Sequence, residues 1–427
     1  MKKITFTMLG LCAALWAEAG GFQVILQGVR QTGMGNTGSA LADVTNTFYN
    51  PGAVGFIEGS AVAAGGNAIF GKTEFAPATG GTIYKTDNPL GTPFYLHAMF
   101  GFGKEKAFKA GLSVVTPYGS SVKWQEGWIG QTNLEQISLR AIYIQPTIAY
   151  RVNDKFSVGG GFQYMIGGVN LQRKTALPVN GLFVDTELEG KATGMGWNLG
   201  FVAKPFDKFS VGLAYRSKIE AEVKEGDATF SNIPSLSGPA GAAINASFPN
   251  INNGTSTTKF AAKLPLPAVL TLGMSWNAND NLLFNFEARY TFWSAYKELA
   301  FNFSDPVAGS TVSASPRLYQ DRVTIGVGGE YKVKSLSIRA GGYFDPTPVR
   351  DGYMTAETPD ANTLGVTGGL GYAIGKKVNI DASILYLNRG PRSNRTPAVD
   401  GAGNPIGPSG DFHTKAIVPS LGVSFNF

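Results

Sequence analysis

The chain has 427 residues and a formal net charge of +6, with 43% apolar, 12% aromatic and only 15% charged side chains. Ordinary soluble domains carry about 25% charge, so the ionised surface is sparse, while 28 Phe, 16 Tyr and 6 Trp argue against disorder. The mild positive balance contains no long basic run, so no nucleic-acid partner is expected; beyond the extreme N-terminus no apolar run approaches the roughly 18 to 20 residues of a membrane helix.

Residues 1–19 read as an export signal. Lys2 and Lys3 form its positive start, 4–15 its apolar stretch, and Ala17, Glu18 and Ala19 an A-x-A cleavage site. The only cysteine, Cys12, lies inside it, so the processed chain is expected to carry no disulfide. Residues 20–59 are Gly-rich, show no alternation and are long enough for a compact inserted segment. They contain Gly33, Gly35 and Gly38 in a formal G-x-G-x-x-G. That motif holds a dinucleotide only within a strand–turn–helix unit, which its surroundings lack. The glycines are therefore expected to let backbone fold tightly in a confined lumen, and no cofactor is expected.

From about residue 60 onward the pattern is period two. In 208–216, Phe209, Val211, Leu213 and Tyr215 alternate with small or polar residues, and Ile380, Ala382, Ile384 and Tyr386 do the same in 379–387. Tight turns are expected at 103–106, 153–154, 206–208, 277–280, 332–335 and 375–377. Longer polar connections fall at 71–93, 118–136, 173–187, 224–262, 304–316, 347–361 and 390–411. Short and long connections alternate, which describes an up-and-down meander of fourteen strands with tight turns at one rim and loops at the other. Lipid offers the backbone no hydrogen-bond partner, so such a sheet must close on itself. The expected fold is all-β: a 14-stranded antiparallel transmembrane β-barrel of the bacterial outer membrane. The final strand alternates into a terminal Phe427, which resembles the recognition signal of outer-membrane barrel assembly.

Catalysis finds little support. The histidines are His97 and His413, each within a predicted strand, no serine sits in a G-x-S-x-G frame, and no His/Cys/carboxylate cluster has metal-ligand spacing. The chain is read as a non-enzyme without metal.

Gly20, Gly21, Phe22 and Gln23, then 33–40, then Asn50, Pro51 and Gly52 resemble the N-terminal plug of the outer-membrane long-chain fatty-acid transporter family (FadL/TodX type). That family has alanine where this chain has Gly52. The likeness continues through 291–296 and is clearest in 339–360, where 345–349 and Pro359-Asp360 are similar to the family's D-x-S-P-V…P-D region. The family's strand number agrees with the count from connections. The resemblance implies a plug over 20–59 within a barrel over 60–427, and passive uptake of hydrophobic compounds, long-chain fatty acids foremost. Cargo would be captured among extracellular loops, passed to a pocket beside the plug and released sideways into the membrane. The expected partners are thus a hydrophobic small molecule and outer-membrane lipid with lipopolysaccharide, with the barrel acting as a monomer. A rival use is a protein-binding adhesion or secretion-accessory barrel.

The resemblance also assigns residues. Gly20, Gly21 and Phe22 would lie beside the ligand, and Asn50 and Pro51 would fix the plug to the wall. Arg173, and after it Arg339, would meet a carboxylate, whereas a second basic position of the family holds Gln320 here and leaves room for neutral hydrocarbons. The family's lateral gap comes from a kink in the third strand, for which Gly111 is the candidate. Tyr118, Trp124, Trp128 and Ile129 are the candidates for the outer groove.

Overall fold

The computed structural model describes residues 21–179, 181–401 and 403–427. The export-signal expectation, with Cys12, and the expectation for Gly20 lie outside the described residues. Fourteen strands form a closed antiparallel ring. In chain order they are β1 (Ala61–Asn67), β2 (Phe94–Phe102), β3 (Phe108–Lys123), β4 (Gln136–Asn153), β5 (Phe156–Ala176), β6 (Phe183–Phe206) and β7 (Phe209–Arg216). They continue as β8 (Val269–Asn277), β9 (Leu282–Thr291), β10 (Arg322–Val333), β11 (Leu336–Asp345), β12 (Thr363–Ile374), β13 (Val378–Ser393) and β14 (Gly410–Asn426). Pairing of Ala61 with Asn426 and of Asn67 with Ser420 closes β1 onto β14, so neither strand is left as an edge.

The alternation predicted from sequence is the alternation of the wall. Along β12, Leu364, Val366, Leu370, Tyr372 and Ile374 point outward and are exposed, while Thr363 and Thr367 point inward and are buried. An apolar outer band with a polar lumen is the pattern that lets a barrel sit in lipid. Each of the six predicted tight turns joins the strands expected. The long connections are less loop-like than predicted. β3 continues to Lys123, β5 and β6 extend to Ala176 and Phe183, and the stretch 224–262 holds most of two paired strands, Ile219–Ser231 and Ser256–Leu266, around a helix at Gly238–Ser247. A further hairpin, Glu298–Val307 with Ser310–Pro316, occupies 304–316. These outer strands read as loops because strand above the lipid needs no greasy outer face; their buried apolar residues, such as Val223 and Phe260, point inward.

Residues 21–59 fill the lumen. Helix α1 (Val29–Gly33) packs on β11 to β14, helix α2 (Asn46–Tyr49) on β3, and a 3-10 turn (Ala53–Phe56) on β3 to β6. Charge fastens one side. Arg30 pairs with Glu330 (2.9 Å) and Asp43 (3.1 Å), and Glu330 also receives Arg339 (2.6 Å), which reaches Asp381 (2.5 Å). Glu287 accepts hydrogen bonds from the backbone N–H groups of Gly38 (3.2 Å) and Ser39 (3.0 Å).

The glycine motif works by contact. At Gly35 (φ +71°) an added Cβ would lie 2.6 Å from the Val327 carbonyl oxygen and 2.7 Å from the Gly342 nitrogen, while Gly33 sits against Gly369. Opposite, Asn50 Nδ2 donates to the Phe201 carbonyl (3.3 Å), and Asn50 Oδ1 accepts from Gly52 N–H (3.0 Å), closing the Asn-Pro turn against β6. A Cβ on Gly52 would meet Phe201 Cα at 2.4 Å. The family's alanine would therefore collide with the wall of this chain. Gly52→Ala should lower stability by about 1–3 kcal/mol, the usual cost of overpacking, measured by unfolding in detergent; an unchanged midpoint would contradict this seating.

Candidate ligand pocket and wall opening

The third strand of the ring is interrupted. β3 pairs with β4 in register through Val115↔Tyr143, and the register shifts before Tyr118↔Ala141. On its other side, pairing with β2 ends at Tyr95↔Val115. Between these points stand Thr116 and Pro117, and proline, having no N–H, is confined within sheets to edges and bulges. The backbone freed there pairs with the plug. Val24 N–H donates to the Pro117 carbonyl (2.8 Å), Gly119 N–H donates to the Phe22 carbonyl (3.1 Å), and Gln23 bridges Tyr118. Residues 22–24 thus act as a short inner strand opposite the bulge.

That pairing places Phe22 in an aromatic cage. Its ring centroid lies 6.0 Å from Tyr118, 5.2 Å from Trp293 and 5.8 Å from Tyr296. Trp293 starts a 3-10 turn (Trp293–Ala295) after β9, so the 291–296 stretch singled out in the sequence builds this cage. Gly21 N–H donates to Asp360 (2.9 Å), whose same oxygen accepts from the Thr347 hydroxyl (2.6 Å), and Arg389 approaches the other at 3.5 Å. The 345–349 and 359–360 motifs are thereby one clasp on the plug's leading residues. Burial pushes the Asp360 carboxyl up to about 6, against the opposing pull of Arg389 and of its two donors.

Beside Phe22 opens an apolar cleft with about 80 Å³ of enclosed space, lined by Ile137 and Leu139 of β4, Val169 and Leu171 of β5, and Val223, Leu264 and Phe301 of the outer strands. Glu357 and Thr358 border it. Arg173 shares a strand face with Val169 and Leu171. It is partly buried, its Nε has no hydrogen-bond partner among the described residues, and Glu357 and Arg317 are the charges that act on it. Sequence reasoning missed Arg317. It is buried, pairs with Glu357, and donates to the Ser315 hydroxyl at 2.5 Å. Gln320 Oε1 accepts from Arg322 Nη2 (2.5 Å).

Three expectations are corrected. Gly111 stands in unbroken ladder, opposite Met99 and Thr147, so the irregularity belongs to Thr116 and Pro117. Arg339 is consumed by Glu330 and Asp381 and fastens the plug, leaving no donor directed at the cleft. Tyr118, Trp124 and Trp128 form no open groove. All three are buried: the two indoles stack at 4.2 Å under Phe75 and Phe412, with Trp124 Nε1 donating to the Ala356 carbonyl (3.1 Å). Ile129 is exposed, and Tyr118 belongs to the Phe22 cage.

A closed antiparallel barrel with an apolar outer band, a filled lumen and an oily cleft at the plug defines an outer-membrane transport barrel of the hydrophobic-cargo type. The profile of one family, outer membrane protein transport protein (OMPP1/FadL/TodX), matches residues 10–427, and the chain belongs to that family. It is 26% identical to the 47 kDa outer membrane protein of Pasteurella multocida, covering 90% of this chain and 92% of that one. It is 21% identical to the long-chain fatty acid transport protein of Escherichia coli K12, covering 91% and 93%. The crystal structure of a Pseudomonas aeruginosa FadL homologue superposes with a TM-score of 0.81 at 21% identity, over 96% of this chain and all (100%) of that one. The protein resides in the outer membrane, in a family of transporters of hydrophobic compounds and not of enzymes.

Because the Asp360 carboxyl is raised from 3.8 to about 6, its stabilising contribution is fully present below the ordinary carboxylate range and lost as pH rises through 6. Wild type should lose stability relative to Asp360→Asn between about pH 4 and 6, followed by denaturant unfolding in detergent. Parallel pH profiles for the two proteins would contradict the burial of this clasp.

Proposed function

We propose that this barrel takes up long-chain fatty acids passively, holding the acyl chain in the cleft beside Phe22 and releasing it sideways at the β3 bulge. The observation that carries the reading is one juxtaposition: an apolar cleft and a wall irregularity meet at Phe22, and Arg173 stands on the strand face of the cleft-lining Val169 and Leu171. Burial of each methylene contributes about 0.8 kcal/mol, so an oily wall captures a long chain with no energy source. The Arg173 guanidinium then selects the carboxylate end, since a charge-assisted hydrogen bond adds about 1.5–3 kcal/mol. The name carried by the Escherichia coli relative agrees with this cargo.

Direction follows from the same geometry. The plug, anchored by Arg30, Glu287 and Asn50, obstructs the axial route, and the backbone at Pro117 is the place where the wall is already unpaired on one side. Lipopolysaccharide blocks direct partitioning of oily solutes from outside, which gives such a barrel its use. The ring closes within a single chain, so a monomer suffices. Arg173→Gln should weaken oleate binding roughly tenfold or more while leaving oleyl alcohol within about twofold, measured by titration of the purified protein. Equal losses for acid and alcohol would remove Arg173 as carboxylate partner.

A further inference from the structure

Across the N-terminal segment from the apolar cleft lies a second, smaller cavity, with about 20 Å³ of enclosed space, which the transport reading has not used. Gln23, Val24 and Ile25 line it on the plug side, Pro117 at the bulge, and Arg216 at the end of β7. Phe22 lines the cleft and Gln23 lines this cavity, so adjacent residues of one extended segment face two different spaces. The first is oily. The second contains a buried cation.

Arg216 is only 9% exposed. Its Nη2 donates to the Phe48 carbonyl (3.1 Å), and its guanidinium carbon lies 3.7 Å from the centroid of the Phe48 ring. Its Nε is buried with no hydrogen-bond partner among the described residues. The groups that act on it are the phenols of Tyr118, Tyr143 and Tyr49 and the like charge of Arg289. Arg289 is itself engaged, donating to Glu287 (2.8 Å) and to the Asn36 carbonyl (2.7 Å). Arg339 and Arg317 are as deeply buried, and each has a carboxylate partner. Arg216 has none among the described residues. A buried charge without a counter-ion is strongly disfavoured, and a planar guanidinium with a free edge is the donor that best fits a carboxylate.

We propose that Arg216 forms a second anion station, which receives the carboxylate head of an amphiphilic acid between the apolar cleft and the wall bulge. The ligand class is a long-chain carboxylate, so this station rests on the transport reading. It assigns a cavity and a residue that the capture step does not involve. The cleft takes chain and head together at Arg173. The Arg216 cavity takes the head alone, next to Pro117.

The test uses the full-length protein in detergent, titrated with oleate and with oleyl alcohol. Wild type is expected to bind two oleates. Arg216→Gln should bind one, with the remaining affinity within about threefold of wild type and oleyl alcohol binding unchanged, while Arg216→Lys should retain two. A role limited to holding the Phe48 carbonyl would lower the melting temperature of Arg216→Gln without changing oleate stoichiometry, and that outcome overturns the proposal. Independently of any variant, the structure of wild type with bound oleate should place a carboxylate against the Arg216 guanidinium; density in the cleft alone overturns it. One oleate in wild type, lost in Arg173→Gln and untouched in Arg216→Gln, defeats the second station and leaves the transport reading standing. No oleate bound by wild type defeats both.

Discussion

Lipid cannot hydrogen-bond a peptide group, and that constraint governs both the wall and its interruption at Thr116 and Pro117. Closure of β1 on β14 removes the edges that an open sheet would expose. At Thr116 and Pro117 the ladder nevertheless breaks, and the unpaired carbonyl and N–H groups are satisfied from inside by residues 22–24. The plug's leading segment and the bulge are therefore one structural unit. Movement of one frees hydrogen-bonding groups on the other, so the proposed release through the wall depends on the position of Phe22.

The plug is held unevenly. Its body is fastened by Arg30, Glu330, Arg339 and Asp381, and by Glu287 on the backbone of Gly38 and Ser39. Glu330 is 1% exposed, so loss of a partner would leave a buried charge, at a cost of about 3–5 kcal/mol. The leading residues rest instead on the Asp360 carboxyl at Gly21, on backbone hydrogen bonds at 22–24 of about 1 kcal/mol each, and on the aromatic cage around Phe22. The weaker attachment coincides with the ligand cleft. On the proposed reading, a fatty acyl chain burying several methylenes competes with those contacts and leaves the ionic body of the plug in place.

The ring itself was legible because period-two alternation and the tight turns are both local in sequence. The outer strands were not, since above the membrane their outward face is polar, and only the structure shows that Val223, Leu264 and Phe301 turn inward to the cleft. The same blindness applies to side chains whose role depends on distant partners. Gly33, Gly35 and Gly38 could be placed in a crowded lumen from composition, yet only the wall shows what they approach. Trp124 and Trp128 look like surface aromatics in a polar stretch, but Phe75 and Phe412, far away in the chain, bury them. Gly111 drew attention because glycine is the usual sign of a strand irregularity, while Pro117 carried the stronger one. Arg173 was found by resemblance; Arg317 and Arg216 became visible once their neighbours were known.

The central claim is that the plug closes the axial route and that cargo leaves through the wall. Ion conductance of the purified protein in planar lipid bilayers tests it directly, because a filled lumen passes no steady current whatever its affinity for oily solutes. The account predicts no sustained porin-like conductance in wild type, with or without oleate. A stable open channel in the absence of ligand would contradict it.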